Sequence, residues 1–245
     1  QFEGVVAANE ATFAKDPRPF RLVAFGSMNR GPFRLVVRGG PLVNVRHDRP
    51  YPYEAEITAG KTHGTARGSI LRPFDLSRYE GEVMLSGDDL ADLYYLTDLA
   101  LPNTPPYEVS GFITRKGTKV FFENADGKVG DSDMTGDITV DLAGERPFLT
   151  AKLTSRSLDL DDLGASVGGP PSVKSGETAS AQDKSQAQEM KAAGKLFPEA
   201  ELQVDRVRAM DAVLDFAADK VNAPKLPVKE FAMQLKLRVG VVEAE

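Results

Sequence analysis

The sequence is expected to fold as a mainly β protein: a long antiparallel sheet with short helical caps and one disordered loop. Three observations carry this expectation. Apolar and polar residues alternate with period two along most of the chain. Turn residues, glycine above all, separate the alternating runs. Helix signals are few and short.

Taken in order, Phe33, Leu35 and Val37 alternate with Arg34, Val36 and Arg38. Ala55, Ile57 and Ala59 alternate with Glu54, Glu56 and Thr58, and Gly81, Val83 and Leu85 with Glu80, Glu82 and Met84. Asp88 to Thr97 reads as about three helical turns with Asp88 as N-cap. Lys116-Gly117 reads as a hairpin turn. So does Asp126-Gly127, between Phe121-Phe122-Glu123 and Lys128-Val129, because a tight turn needs the positive φ that glycine supplies. Ile138, Val140 and Leu142 alternate with Thr139 and Asp141. Gly144-Glu145 then turns the chain into Leu149, Ala151 and Leu153, which alternate with Thr150, Lys152 and Thr154. Asp159 to Leu163 reads as one helical turn. The clearest strand is the last, with Phe231, Met233, Leu235, Leu237 and Val239 opposite Ala232, Gln234, Lys236 and Arg238. One greasy and one wet face per strand is the pattern of antiparallel sheet with a solvated side.

Residues 168–194 break the pattern. They hold no aromatic residue and are rich in Ser, Gly, Ala, Gln and Lys, so they bury too little to offset ordering and are expected to form a flexible loop. The loop divides the chain into 1–167, a strand-rich region, and 195–245, whose strands are expected to continue the same sheet. Asp89-Leu90-Ala91-Asp92-Leu93 and Asp159-Leu160-Asp161-Asp162-Leu163 echo each other, each after an alternating strand. A repeated unit with a short cap follows, with Leu90, Leu93, Leu160 and Leu163 buried and the aspartates at helix N-termini.

Composition removes several functions. A formal net charge of -6 without a Lys/Arg cluster argues against a nucleic-acid partner. The absence of cysteine excludes thiolate metal sites, disulfides and cysteine nucleophiles, and fits an oxidising compartment. No apolar run reaches the roughly 20 residues of a membrane-spanning helix. The chain opens on Gln1 without a visible signal peptide, so any anchor or export signal is expected upstream.

The chemical motifs read as structural. Gly164-Ala165-Ser166-Val167-Gly168 matches the G-x-S-x-G elbow, but a Gly-Pro-Pro loop follows it and both histidines precede it, so no catalytic residue is assigned. His47 and His63, 16 apart in sequence, lack the local spacing of a metal site. Asp126, Asp131 and Asp133 fail the calcium-loop spacing and read as a polar strand start that caps backbone N–H groups. Leu101 to Tyr107 holds three prolines and reads as a rigid extended connector, with Tyr94 and Tyr95 packing or capping beside it. No metal, cofactor or enzymatic activity is expected.

Several segments resemble the AsmA family of Gram-negative bacteria. They are Leu101-Pro102-Asn103-Thr104-Pro105-Pro106-Tyr107, Gly130-Asp131-Ser132-Asp133-Met134-Thr135-Gly136, Glu145-Arg146-Pro147 and the run from Leu153 to Gly164. Arg18-Pro19-Phe20 and Ala223-Pro224-Lys225-Leu226-Pro227 fit the same pattern. The resemblance implies the C-terminal part of a periplasmic, inner-membrane-tethered protein, its anchor absent from this chain, related to bridge-like lipid transfer proteins. It implies a curved sheet of the repeating β-groove type, serving phospholipid transport and outer-membrane biogenesis. The period-two pattern alone fits a closed sandwich or barrel as well, and favours it; the resemblance favours the open groove.

On that reading Val83, Leu85, Val109, Ile113, Ile138, Val140, Leu149, Leu153, Leu235 and Leu237 share a concave face that takes phospholipid acyl chains. Inner- and outer-membrane envelope proteins are the expected partners. The alternative is a scaffold or assembly factor that binds no lipid, for instance by adding a strand to a partner.

Overall fold

The computed structural model describes residues 2–8, 19–41, 45, 46, 48–72, 75–159, 162, 185, 208–222 and 230–244. The 168–194 loop expectation, Leu160, Leu163, His47, the 164–168 motif and 223–227 therefore fall outside the described residues, Ser185 apart.

Period-two alternation does produce one long sheet. Its strands are β1 (Phe2–Ala8), β2 (Phe20–Met28), β3 (Gly31–Gly39), β4 (Tyr51–Ala59), β5 (Thr62–Ile70), β6 (Arg78–Gly87), β7 (Tyr107–Lys116), β8 (Lys119–Val129), β9 (Ser132–Asp141), β10 (Phe148–Ser155), β12 (Asp211–Ala218), β14 (Phe231–Arg238) and β15 (Val241–Ala244). Two further pieces, β11 (Leu158–Asp159) and β13 (Val221–Asn222), form a separate parallel pair. The thirteen strands lie side by side in chain order from β1 to β15, and the sheet does not close on itself. Every neighbouring pair is antiparallel except β10–β12, which is parallel. That exception departs from the all-antiparallel expectation. A parallel pair needs a crossover of a dozen or more residues, and the chain between Ser155 and Asp211 supplies the length.

Between β6 and β7 the chain leaves the sheet. Leu90–Leu93 form a 3-10 turn and Tyr94–Thr97 a single α-helical turn, α1. The cap is Asp89, one residue later than expected: its Oδ1 accepts from Ala91 N at 2.9 Å and from Thr104 N at 2.9 Å. Asp88 instead pairs with Lys61 across 3.5 Å. Asp98, at φ 61, ends the helix, and its N–H donates to Tyr94 O. Pro102 to Pro106 then return to the sheet without helix or strand.

Three turn and strand expectations need correction. Asp126-Gly127 is not a turn. β8 runs through it to Val129, and the chain reverses at Gly130-Asp131, with Gly130 at φ 61. The residue with positive φ upstream is Asn124 (φ 53), in a bulge between Phe122 and Ala125 that Asp137 closes by accepting from Asn124 N at 2.8 Å. Gly127 is small for another reason: a Cβ there would lie 2.1 Å from Glu108 O on β7. Leu142 and Val239, expected on apolar faces, lie beyond the strand ends and are exposed. Lys116-Gly117 does turn the chain, with Gly117 at φ 66, and bends fill 143–146 before β10.

The sheet is strongly curved. Asn29, in the β2–β3 turn, donates from Nδ2 to Tyr94 O at 3.2 Å, while Ala100 N meets Met210 Sδ, just before β12, at 3.1 Å. β3 and β12 are eight strand spacings apart, roughly 38 Å in a flat sheet. Six residues separate Tyr94 from Ala100 and span at most about 21 Å. One short segment can touch both places only if the sheet curls around it. Residues 90–101 thus form a strap across the inside of the curl.

Candidate functional site

Strand register assigns every residue to a face. One row on the inner face runs Leu22, Val37, Ala55, Ala66, Val83, Gly111 across β2 to β7. Another runs Ala24, Leu35, Ile57, Gly64, Leu85, Val109, Gly127, Met134. A third runs Ile113, Phe122, Ile138, Ala151, Leu214, Leu235 across β7 to β14. The fourth is Val120, Val140, Leu149, Ala212, Leu237. All ten residues expected on the groove face fall on this one face. The strap packs against the same side, so the apolar face is the concave one.

The outer face is charged. Arg38, Glu54, Arg67 and Glu82 stand opposite one another in register, an alternating-sign row across β3 to β6. Apolar residues interrupt this side: Val36 is buried beside Val23 and Glu56, and Phe25, Met84 and Phe112 are exposed. The outer-face depression between Glu54, Glu56, Arg67 and Glu82 follows this charge row.

The strap divides the concave face into two parts. Over its C-terminal part, Leu99 packs in one core with Val140, Leu149, Ala151, Met210, Ala212 and Leu237, and Ile138, Leu153 and Leu235 join it. Nearer the strand ends, Leu93 forms a second core with Tyr107 and Val129, joined by Leu85, Leu90, Leu96, Leu101 and Val109. Eight of the ten expected groove residues therefore meet a core that the chain itself supplies. Val83 and Ile113 belong to neither core. Together with Leu22, Leu35, Val37, Ala55 and Ile57 they are half-buried, and among the described residues no second layer of helix or sheet packs over them. The expected list omitted these β2–β4 residues although their alternation was plain. Periodicity identifies a face but does not say which part of it stays open.

The strap is anchored at both ends. Tyr95 lies against Gly31 and Gly60, where a Cβ would approach its ring within 2.4 and 2.8 Å. The two adjacent tyrosines therefore do more than cap locally. Thr104 is buried, accepts from Leu90 N at 3.1 Å and donates to Pro105 O at 2.9 Å. Tyr107 is buried with its hydroxyl 3.1 Å from Thr62 Oγ1, and burial pushes its phenol up to about 12.

The acidic motifs form a clasp. Asp162 Oδ2 accepts from Asp131 N (3.0 Å), Ser132 N (2.9 Å) and Ser132 Oγ (2.6 Å). Asp133 accepts from Ser157 N (2.7 Å) and Ser155 Oγ (3.0 Å) on Oδ1 and from Arg156 Nε (2.8 Å) on Oδ2. Asp159 N donates to Ser132 Oγ at 2.9 Å, and Asn222 Nδ2 to Asp159 Oδ2 at 2.5 Å. Of the second Asp-Leu-x-Asp-Leu segment only Asp159 and the helical Asp162 are described. Asp89 caps a helical turn, whereas Asp159 sits in a strand and Asp162 caps a β-turn. Arg146 ties β10 to β12 by pairing with Asp211 at 3.3 Å, while Asp211 N donates to Pro147 O at 3.0 Å. Among the described residues no group of carboxylates and histidines is arranged to hold a metal ion. His63 is exposed, its Nδ1 3.5 Å from Thr58 Oγ1.

The segments that pin the strap, the β8–β9 turn and the β10–β12 junction are those that carry the family resemblance. The AsmA family model matches residues 79–245, which contain them, while Arg18-Pro19-Phe20 lies outside that match. The chain is similar to the AsmA family protein YhjG of Escherichia coli (strain K12), 28% identical over 226 residues, 89% of this chain and 33% of that protein. It thus spans about a third of the length of this curated relative. No solved structure matches significantly. Among the described residues no helix is long and apolar enough to cross a membrane. On the match from Tyr79 to the end, the chain belongs to the AsmA family.

Proposed function

We propose that this chain is a non-enzymatic envelope module whose concave face carries phospholipid acyl chains, serving phospholipid transport and outer-membrane biogenesis in the periplasm. Family membership supports the envelope-related role. Tethering to the inner membrane, and partners in either membrane, belong to the same proposal. One observation carries the acyl-chain reading. Across the eleven strands between β1 and β15 the concave face presents aliphatic, aromatic, glycine and a few hydroxyl side chains, with a single charge, and its β2–β6 part, away from the end that the strap covers, has no second layer among the described residues. Water is a poor partner for so long an apolar floor, whereas acyl chains match it. The motifs of the family support a non-enzymatic reading, since they hold strands together and do not line a cleft.

The test is organic extraction of the purified chain, with phospholipid quantified in the extract, for wild type and Val83→Asp. Val83 lies on the open part, so an aspartate there can meet water once lipid leaves. Retained melting behaviour with lost phospholipid is expected. A folded wild type that never captures phospholipid leaves the scaffold reading in its place.

A further inference from the structure

Among the described strand residues, the single charge on the concave face is Arg115. Register places it opposite Tyr79 on β6 and Val120 on β8, two residues beyond Ile113. It is half-buried, and its Nε donates to Gly117 O at 3.1 Å. The Tyr79 phenol stands directly opposite it across the β6–β7 pair. Among the described residues no carboxylate forms an ion pair with it. At the end of an apolar floor, with no carboxylate partner, its planar fork suits a phosphate.

Its surroundings fit such a ligand. Tyr53, in the next row, faces the same side, and between Tyr53 and Ile113 that row holds only Gly68 and Gly81. A Cβ on Gly68 would lie 1.9 Å from Glu80 O, so close strand approach keeps that row free of side chains between Tyr53 and Ile113. Burial raises the Tyr79 phenol, with Arg115 opposing that shift, so the hydroxyl stays protonated and can donate. Arg78, Lys116 and Lys119 share this end of the strands but stand on the outer face, Lys119 paired with Asp141 at 3.8 Å, so Arg115 is the cation that the concave side presents here. The opposite strand ends carry Asp88, Asp89, Asp92 and Asp98 where the strap enters. An amphiphile on this face would therefore meet its counter-charge at the Arg115 end.

We propose that Arg115, with Tyr79 and Tyr53, is the headgroup subsite of the groove, binding the phosphate of a glycerophospholipid whose chains lie on the floor toward Val83 and Ile57. This rests on the acyl-chain reading and adds the headgroup to it.

The experiment titrates the full chain with dioctanoyl-phosphatidylglycerol and with dioctanoylglycerol, which has the same chains and no phosphate. R115Q weakens phosphatidylglycerol binding roughly 10-fold and leaves diacylglycerol binding unchanged, and R115K restores most of the difference. Thermal melting confirms that each variant is folded. If R115Q does not fold, Tyr79→Phe, which removes one hydroxyl, makes the same comparison and selectively weakens phosphatidylglycerol. Equal weakening of both lipids, or of neither, overturns the subsite while wild-type binding upholds the acyl-chain reading. Inorganic phosphate that binds as tightly as phosphatidylglycerol marks a free-anion site and also overturns it. Wild type that binds neither lipid overturns both proposals.

Discussion

Asp162 satisfies three donors with one carboxylate oxygen, two of them backbone N–H groups of the β8–β9 turn. Asp162→Ala leaves these buried donors without their acceptor. Chemical denaturation is expected to show a loss of at least about 2 kcal/mol, and an unchanged midpoint contradicts the clasp. Asp133 gives a pH signature. Burial alone would raise its carboxyl, but hydrogen bonds from Ser157, Arg156 and Ser155 outweigh that and hold it below its ordinary 3.8. Its contribution is therefore full above that value and is lost as pH falls through the lower folded value. The stability gap between wild type and Asp133→Asn should be constant near neutrality and shrink in acid below about pH 4. A gap that is flat into strong acid contradicts the assignment. The acidic stretch Asp126, Asp131 and Asp133 was legible as an N–H cap, and Asp133 acts as one on Ser157 N. The clasp was not, because Asp162 lies thirty residues from the turn that it holds and no local spacing signals that reach. Arg115 was equally invisible, since beside Lys116-Gly117 it reads as an ordinary hairpin-flanking charge until register assigns its face.

At the scale of elements, the strap is the feature that distinguishes this sheet from an open trough. Leu99 is 9% exposed and shares a core with residues of four strands, β9, β10, β12 and β14. Leu99→Ala should cost about 2–5 kcal/mol, read as a lowered melting temperature. Leu93→Ala, at 6% exposure in the second core, should behave alike. Wild-type melting in both variants shows that the strap is loosely laid and does not divide the groove. The helical signal at 88–97 was legible, as was the extended proline connector after it. What the segment covers was not, because the apolar positions of a four-residue helix do not specify their partners, and only the curl brings β12 within reach. The β8–β9 reversal was misplaced for a related reason. Asp126-Gly127 has the composition of a turn, yet Gly127 is small because β7 crowds it, and turn signals do not separate a glycine chosen for φ from one chosen for room.

At the scale of the molecule, alternation fixed a one-sided sheet, since a register slip of one residue would reverse every strand. It could not distinguish a curled open sheet from a sandwich, because both bury one face of each strand. The distinction rests on the order of thirteen strands and on close approaches such as Gly68 to Gly81, where adjacent strands leave no room for a Cβ on the inside of the curl. The central claim is that the inside carries acyl chains and the outside does not. Ile57 and Glu56 are chain neighbours on opposite faces of β4, so a photo-reactive residue at each samples the two sides at the same depth in the sheet. Cross-linking in cells, followed by mass spectrometry of the adducts, is the direct measurement. Phospholipid adducts at position 57 and none at position 56 are the predicted result. Equal labelling at both positions, or none at 57 in a folded protein, contradicts the account.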